Sequence, residues 1–519
     1  MAAQLCAQQA AHEAELKRAI AVIERDAQEK IQRLIEQMIQ ARHRMFGTSS
    51  EQLPAQWRLF DEAESLTVNT TESDDITDIP ATQEPVDSSD KKGNKAARGK
   101  RSPLPVELKR VDIVHDVPEQ DRTCPCGTPM VVIGEEISEQ LDIIPMQIQV
   151  LRHIRKRYGC PGSQHAPVTA KLPLQPLPKS NVSADLLAML LAVKFIDGMP
   201  LARFEIVLAR HGIRIPRQTL ARWVIGCAQL LQPLLNLIRD SLLEGGFIHM
   251  DETVLQVLKE PDKPPTSNSY MWVQAGGLPD RPVVVFDYDP SRSGEVPSRL
   301  LQDYRGYLMT DGYEGYGKIA RSDGIEHLVC WAHVRRRFVE AARVQPKGKR
   351  GRADEAVNLI GKLYKIEREC KDGTEAQRLQ ARQQHSIPAL NALQAWMTQT
   401  MPGLAPSSAL GTALAYMKKY WGRLNRYTER GDLPIDNNRC ENSIRPFVTG
   451  RKGWLFSDTP AGAHASAIIY SLVQTAKANG VEPYIWLRRV LSALPAAQTV
   501  EQMEALLPWN MPELKGQIA

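Results

Sequence analysis

The chain has no long uninterrupted hydrophobic run. Its longest apolar stretch, LLAMLLAVKFI at 186–196, is short and contains Lys194, whereas a membrane-spanning helix needs about 20 consecutive apolar residues. The N-terminal residues MAAQLCAQQAAHEAEL also lack the apolar core of a signal peptide. These absences argue against a membrane protein, and we expect a cytoplasmic protein.

The chain also lacks a disulfide framework, because eight cysteines are few for 519 residues. Buried, reduced thiols are the simplest interpretation of the cysteines that stand alone in the sequence. These are Cys6, Cys227, Cys330, Cys370 and Cys440.

Proline and glycine are absent from residues 8–46, where apolar residues recur at three- and four-residue steps. This pattern predicts a long amphipathic helix within a first segment, 1–55, and favours a coiled coil through which the chain forms a homo-oligomer. A single helix packed on another domain is the alternative.

Lysine and arginine are absent from 61–90, which holds ten acidic residues and no aromatic one. Such a segment cannot bury enough apolar surface to fold. The charge of the chain then changes from negative to positive, since KKGNKAARGKR at 91–101 carries six basic residues. We predict a linker over 56–105, whose basic half either is simply solvated or contacts DNA phosphates.

A chain of this length exceeds what one hydrophobic core usually supports, so further domains are expected. Residues 106–170 are typical of a small β-rich module. Residues 171–243 are helical, and a glycine-containing turn before an arginine-bearing helix is typical of a helix-turn-helix. Arg217, Gln218 and Arg222 would then face nucleic acid; a plain helical bundle is the alternative.

From 244 to 480 the pattern predicts a mixed α/β sheet. Three meandering strands are followed by a short helix, a strand GYLMT, a helix starting near Tyr313 and a strand IEHLVCW. Residues 334–430 are mostly helical and interrupt this order as an insertion. The tail, 481–519, contains one predicted helix.

Three carboxylates occupy notable places in this order. Asp251 lies within the first strand, Asp311 follows the fourth, and Glu441 lies on a late helix. If the first and fourth strands are neighbours, both aspartates emerge at one sheet edge, where that helix could add Glu441. Three clustered carboxylates repel one another unless divalent cations neutralise them, and magnesium prefers such oxygen ligands. Two ions about 4 Å apart support phosphoryl transfer.

Each of these acids alone is a weak signal, because a strand aspartate is more often a solvated residue. Other acids nearby compete for the same role. Glu252 and Asp287 compete with Asp251, and Glu314 competes with Asp311.

Four stretches resemble the DDE transposases of the insertion-sequence-sixty-six group, often labelled TnpC. They are HMDET, LMTDGYEGY, CWAHVRRRF and the long block ENSIRPFVTGRKGWLFSDTPAGAHASAIIYSLVQTAKANGVEP. ARHRMFGTSSEQL and RGKRSPLPVELKR, further upstream, resemble the end of that family's N-terminal helix and the entry to its zinc-finger-like module.

The resemblance implies a multidomain α+β protein with an RNase H-like catalytic domain. It implies that Asp251, Asp311 and Glu441 form an acidic triad that holds magnesium or manganese. It further implies hydrolysis of a phosphodiester at each transposon end, and attack of the freed 3′-hydroxyl on target DNA. Family members are typically encoded beside two small accessory proteins, which are therefore expected partners besides double-stranded DNA.

The zinc-finger-like module departs from the family pattern of two CxxC pairs. Here the candidate ligands are Cys124, Cys126, Cys160 and His165, with a CxC spacing in the first pair. Three thiolates and an imidazole can surround zinc tetrahedrally. The alternative is a degenerate module that folds without metal.

A second possible metal pair is Cys330 and His333, three residues apart on a predicted helix. No second pair of ligands is evident, which favours packing and DNA contact instead. The neighbouring Arg335, Arg336 and Arg337 either bind a phosphate backbone or form a solvated face.

Basic and aromatic residues also follow Glu441. Arg445 could orient the carboxylate or hold a phosphate, although Pro446 should perturb the helix between them. Arg451 and Lys452 are candidate DNA contacts. Trp454 could stack on an unpaired base or lie in the core.

The sequence therefore predicts a DNA transposase. Two alternatives belong to other classes: a catalytically silent DNA-binding copy acting as a repressor, and a metal-dependent nuclease that cuts without joining.

Overall fold

A computed structural model describes residues 173–344 and 351–515, together with 148–154, 156–158, 168–169 and scattered positions between Ile20 and Met38. The predicted linker at 56–105 and the candidate zinc ligands Cys124, Cys126, Cys160 and His165 lie outside the described residues.

The described positions between Ile20 and Met38 are helical, in agreement with the predicted N-terminal helix. Their large apolar side chains are solvent-exposed, including Ile23 and Leu34. The Glu36 carboxylate accepts a hydrogen bond of 2.9 Å from the backbone N–H of Ala409. Within the predicted β-rich module, β1 (Arg157–Tyr158) pairs antiparallel with β2 (Val168–Thr169).

Three helices precede the main sheet and match the predicted helical segment. They are α1 (Ala184–Phe195), α2 (Leu201–Arg210) and α3 (Arg217–Leu243). The Ser183 hydroxyl caps α1 by accepting from Leu186 N. Gly212, at φ +79°, makes the turn between α2 and α3, a conformation that glycine adopts without a steric penalty.

The main sheet has five strands in the order β5-β4-β3-β6-β7. The first three, β3 (Phe247–Gln256), β4 (Asn268–Leu278) and β5 (Arg281–Asp289), form an antiparallel meander. The last two, β6 (Gly306–Thr310) and β7 (Ile325–Val329), run parallel to β3. The first and fourth strands of this sheet are therefore neighbours, as the placement of the aspartates requires.

A long helix covers the β5 edge of the sheet. Helix α11 (Pro460–Ala478) places the Thr475 hydroxyl between the backbone N–H and C=O of Val284, at 3.1 and 2.9 Å. The Ser471 hydroxyl accepts from Phe286 N at 2.8 Å in the same way. These side chains satisfy backbone groups that an edge strand would otherwise leave unpaired.

Two short segments flank β6. Helix α4 (Glu295–Leu300) precedes it, as predicted. The helix predicted near Tyr313 is wrong, because the chain forms two 3₁₀ turns there, Glu314–Gly317 and Ile319–Arg321. Three glycines in DGYEGYG lower the helix propensity of this stretch.

The segment predicted as a helical insertion, 334–430, is mostly helical, and it packs on the β7 side of the sheet. Its helices are α5 (Trp331–Arg343), α6 (Arg352–Glu369), α7 (Glu375–Ala381), α8 (Ile387–Thr400) and α9 (Ala409–Asn425). Their buried side chains form one cluster that includes Trp331, Phe338, Ile360 and Leu414. The chain then returns to the sheet through α10 (Asn438–Trp454), which precedes α11.

The C-terminal segment contains α12 (Pro483–Ala493) and a further short helix, α13 (Val500–Glu504), where one helix was predicted. Trp486 is fully buried and donates to the Leu506 carbonyl at 3.0 Å. The sheet and all the helices from α1 onward belong to one compact unit.

Candidate active site

Asp251 and Asp311 lie at the same level of two adjacent parallel strands. The register pairs His249 of β3 with Met309 of β6, and each aspartate comes two residues later. One oxygen of each carboxylate is held by a nearby backbone N–H, from Glu252 and Tyr313 respectively, both at 2.8 Å. Among the described residues neither aspartate makes an ion pair, so a carboxylate oxygen on each is available to a ligand.

Glu441 reaches the same region from the first turn of α10. Asn437 positions the start of this helix: it hydrogen-bonds His249 Nδ1 at 2.9 Å and the Met250 carbonyl at 3.1 Å. The Cys440 thiol then contacts the carbonyl of Val273, the residue paired with Asp251. Helix α10 therefore crosses the face of β3 to which the side chain of Asp251 belongs.

The predicted disturbance at Pro446 does not interrupt α10, which runs from Asn438 to Trp454. Ile444 and Phe447, on either side of the proline, are buried. This packing compensates for the backbone hydrogen bond that proline removes.

The electrostatics of the site follow from crowding three acids in a partly buried place. Burial first, and then the charges of Glu252, Asp311 and Glu441, raise the pKa of Asp251 well above its ordinary value. Burial also raises the pKa of Asp311. It raises the pKa of Glu441 to about 7, although Arg336 and Arg445 lower it. Without a cation, the three carboxylates therefore destabilise one another when ionised.

The acids that compete with the triad in the sequence are already neutralised by partners. Asp287 is paired with Arg239 at 2.6 Å and accepts from Gln274 at 2.7 Å. Glu314 is paired with Lys419 at 2.7 Å on an exposed surface. Their charges are thus balanced within the protein, unlike those of Asp251 and Asp311.

Glu252 has a different role from its neighbour, because successive strand residues point to opposite faces. Its carboxylate is 2 % exposed, is paired with Arg292 at 2.6 Å and accepts from the Tyr316 hydroxyl at 2.6 Å. The Arg292 guanidinium lies 3.9 Å from the ring centre of Tyr313, whose backbone N–H holds Asp311. Glu252 therefore links the strand of Asp251 to the loop of Asp311.

Cys330 and His333 lie beside Glu441, a proximity that their sequence positions did not predict. Their ligand atoms and one Glu441 oxygen all lie within 4.8 Å of one another. His333 Nδ1 is 3.7 Å from Glu441 Oε1, and neither buried atom has a hydrogen-bond partner among the described residues. A thiol, an imidazole and a carboxylate can together bind zinc. The buried Cys330 sulfur also accepts from Asn437 N at 3.2 Å.

The orphaned oxygen of Glu441 and the unpaired aspartates fit a divalent cation. Carboxylate oxygens are the ligands that magnesium prefers, and bound cations would remove the mutual repulsion of the three acids. Glu441 is shared between this acidic set and the Cys330–His333 pair.

The basic residues predicted to contact DNA fall into two groups. Arg336 and Arg445 lie near Glu441, Arg335 lies on α5 beside Arg336, and Arg451 and Lys452 lie towards the far end of α10. Arg336 approaches Glu441 at 3.7 Å, and Arg451 donates to the Thr253 hydroxyl at 3.3 Å. Arg217 and Arg222 are exposed at the start of α3.

Trp454 is half-buried and contacts other side chains at the end of α10. Its ring packs edge-on against Phe447, with 5.5 Å between centroids. The Lys194 ammonium lies 5.4 Å from the centroid of the same ring. These contacts attach the end of α10 to α1.

Four family models match parts of this chain. The model of the IS66 family transposase matches residues 179–465, and that of the IS66 C-terminal element matches 471–509. The zinc-finger binding domain of transposase IS66 matches 121–162, which includes Cys124, Cys126 and Cys160 but stops before His165. A model described as Transposase C of IS166 homeodomain matches 33–113.

Two relatives from Sinorhizobium fredii are similar over most of their length. Protein y4jD is 31% identical over 421 residues, which cover 78% of this chain and 81% of the relative. Protein y4qI is 30% identical over 437 residues, which cover 80% of each. The chain belongs to the IS66 transposase family, as the quoted motifs predicted.

Within the described part of the chain, no helix has the length and apolar character needed to cross a membrane.

Proposed function

We propose that this chain is a DDE transposase that cuts the ends of an insertion sequence and joins them to target DNA. The observation that supports this proposal is that adjacent strands bring Asp251 and Asp311 to the same level, and that the helix bearing Glu441 is attached to β3 through Asn437. Among the described residues Asp251 and Asp311 make no ion pair, whereas the competing acids Glu252, Asp287 and Glu314 are paired.

The sheet supports an RNase H-like catalytic domain over 244–480. Its three-stranded antiparallel meander continues into two parallel strands on the side of the first strand, β3. The helical insertion enters between the last strand and the helix that bears Glu441. The third acid can therefore join the first two although 130 residues separate Glu441 from Asp311.

In this proposal, Asp251, Asp311 and Glu441 hold magnesium or manganese. The bound cations would help to activate the attacking oxygen and to stabilise the leaving oxygen of the phosphodiester. The residues of the chain position these groups. Backbone N–H groups orient both aspartates, Asn437 places the start of α10, and Arg336 and Arg445 bring positive charge close to Glu441.

We assign further roles to the basic residues, to the module at 106–170 and to the N-terminal helix. Arg335, Arg336, Arg445, Arg451 and Lys452 contact the DNA backbone near the carboxylates, and Arg217 and Arg222 contact it from the helix-turn-helix-like segment. The module at 106–170 binds DNA and holds zinc through Cys124, Cys126, Cys160 and His165. The N-terminal helix joins copies of the chain, and the two small accessory proteins act with it.

One reaction separates transposition from its alternatives. Purified protein is incubated with magnesium, a target plasmid and a labelled duplex that carries the terminal sequences flanking its gene. A transposase yields labelled ends joined to the plasmid. Cleaved ends without joining would identify a nuclease. Bound but uncut ends, in the presence of the accessory proteins as well, would identify a DNA-binding repressor and contradict the proposal.

A further inference from the structure

The chain leaves α10 through a strained turn centred on Leu455. This residue has φ +66° and ψ −53°, and Phe456 N donates to the Trp454 carbonyl two residues earlier, at 2.9 Å. These values define the γ-turn with positive φ, which is rare and strained for a residue with a side chain. Strain of this kind is concentrated at functional sites.

The surrounding hydrogen bonds prevent the turn from relaxing. On its N-terminal side, Leu455 N donates to the Arg451 carbonyl at 2.7 Å. On its C-terminal side, Ser457 N donates to the Gln256 carbonyl at 3.0 Å, and Leu258 N donates to Ser457 O at the same distance. The turn is thus fixed between a helix end and the end of β3.

The strained turn presents two large apolar side chains to solvent. Leu455 is 63 % exposed and Phe456 is 42 % exposed. Two basic residues, the half-buried Arg451 and the exposed Lys452, precede the turn in the chain, and the exposed pair of Lys259 with Asp458, at 2.7 Å, follows it. An apolar tip that follows two basic residues on the same helix end is complementary to a nucleic acid, whose bases are apolar and whose backbone is anionic.

The position of the turn relative to the carboxylates adds a geometric argument. Arg451 reaches Thr253, which lies on the same face of β3 as Asp251. Ser457 reaches Gln256, five residues after Asp251, and a strand rises about 3.3 Å per residue. Measured along β3, the attachment of the turn therefore lies roughly 17 Å beyond the level of Asp251. For a duplex that lies along β3, this length is about five base-pair steps.

We propose that Leu455 and Phe456 form a wedge that inserts between bases of the bound transposon-end DNA, about five base pairs from the scissile phosphate. The inference rests on the proposed function and names a contact through which the same site acts on DNA. Inserted apolar side chains unstack a base step and kink the duplex. The rigid turn lets the side chains enter the duplex without rearranging, and the nearby cations hold the phosphates on either side.

The test compares the double variant Leu455→Gly, Phe456→Ala with the wild type and with Val500→Ala, a matched change of an exposed apolar residue elsewhere. The double variant should be at least as thermally stable as the wild type, because glycine accepts positive φ. Its cleavage of fully paired end DNA should fall about 10- to 100-fold, which corresponds to a few kcal/mol. A two-base mismatch at the wedge position should restore most of that rate.

A second readout does not depend on cleavage. End duplexes with 2-aminopurine at successive positions are bound to Asp251→Asn protein, with and without the wedge substitutions. A rise in fluorescence near the fifth position that the substitutions abolish supports the wedge. No rise there, or an equal cleavage loss on paired and mismatched DNA, would overturn it. Loss of self-association in the double variant would also overturn it, because the two side chains would then contact a second copy of the chain.

These outcomes are distinct from failure of the proposed function. If the wild type cuts neither paired nor mismatched ends with magnesium or manganese, the transposase proposal fails. The fluorescence experiment still decides whether the tip enters DNA.

Discussion

Glu252 accepts a 2.8 Å hydrogen bond from Arg292 Nε and directs its carboxylate away from the face of β3 that carries Asp251. The Arg292 guanidinium stacks on Tyr313, which holds Asp311 through its backbone. The two consecutive acids of β3 therefore have different roles. Asp251 is available to a cation, whereas Glu252 supports the loop that positions Asp311.

Glu252→Gln should weaken divalent-cation binding without abolishing it. The amide can still accept from Tyr316, but it loses the charge that holds Arg292. Outer partners of metal ligands typically contribute about 10- to 100-fold to affinity. Calorimetric titration with Mn²⁺ should show a dissociation constant raised at least about tenfold. Glu314→Gln, which removes an exposed ion pair, is the control, and equal affinity in both variants would contradict this role.

Arg382→Met should strongly destabilise the helical insertion. The guanidinium is fully buried, is paired with Glu367 at 2.6 Å, and donates to the carbonyls of Tyr427 and Leu433. Removing one partner of a buried pair costs about 3–5 kcal/mol. Urea denaturation measures the loss. Lys365→Met, which removes an exposed pair with Glu369, should cost under about 1 kcal/mol; similar losses in both variants would refute the assignment.

The pH dependence of stability should reveal Glu441 when divalent cations are removed. Burial raises its pKa from 4.5 to about 7, so the folded protein binds this proton more tightly than the unfolded chain. The resulting stabilisation is complete below pH 4.5 and is lost as the pH rises through about 7. This loss of stability amounts to about 3 kcal/mol. Glu441→Gln should not show it, because glutamine does not titrate.

In a chelator, the stability of Glu441→Gln relative to the wild type should therefore increase between pH 4.5 and pH 8. Thermal unfolding followed by circular dichroism measures this difference. A difference that stays constant with pH would show that Glu441 titrates normally.

The sequence predicted the strands of the main sheet and the mostly helical segment after them, because each depends on local pattern or on a quoted family motif. The strand pattern around Asp251 and GYLMT before Asp311 match β3 and β6 closely. Asp251 and Asp311 can share one sheet edge only if β3 and β6 are neighbours, and the two strands are paired.

Contacts between distant segments could not be predicted from spacing. Glu441 lies beside His333 although 108 residues separate them, because helices α6 to α9 fold between the two. The partners of Glu252, Arg292 and Tyr316, follow it by 40 and 64 residues. The isolated Asn437 gave no signal, yet it joins α10 to β3.

Local propensity also gave two wrong predictions near the site. The stretch after Tyr313 is rich in glycine and forms 3₁₀ turns in place of a helix. Pro446 is tolerated within α10 because tertiary packing outweighs one missing hydrogen bond.

The most direct test of the account is the single-turnover cleavage rate of labelled end DNA in magnesium for Asp251→Asn, Asp311→Asn and Glu441→Gln. Each variant removes a proposed cation ligand, whereas Glu314→Gln removes an acid paired with Lys419. We expect each triad variant to lose at least about 100-fold in rate, and Glu314→Gln to retain the wild-type rate. Cleavage at the wild-type rate by any folded triad variant would contradict the account.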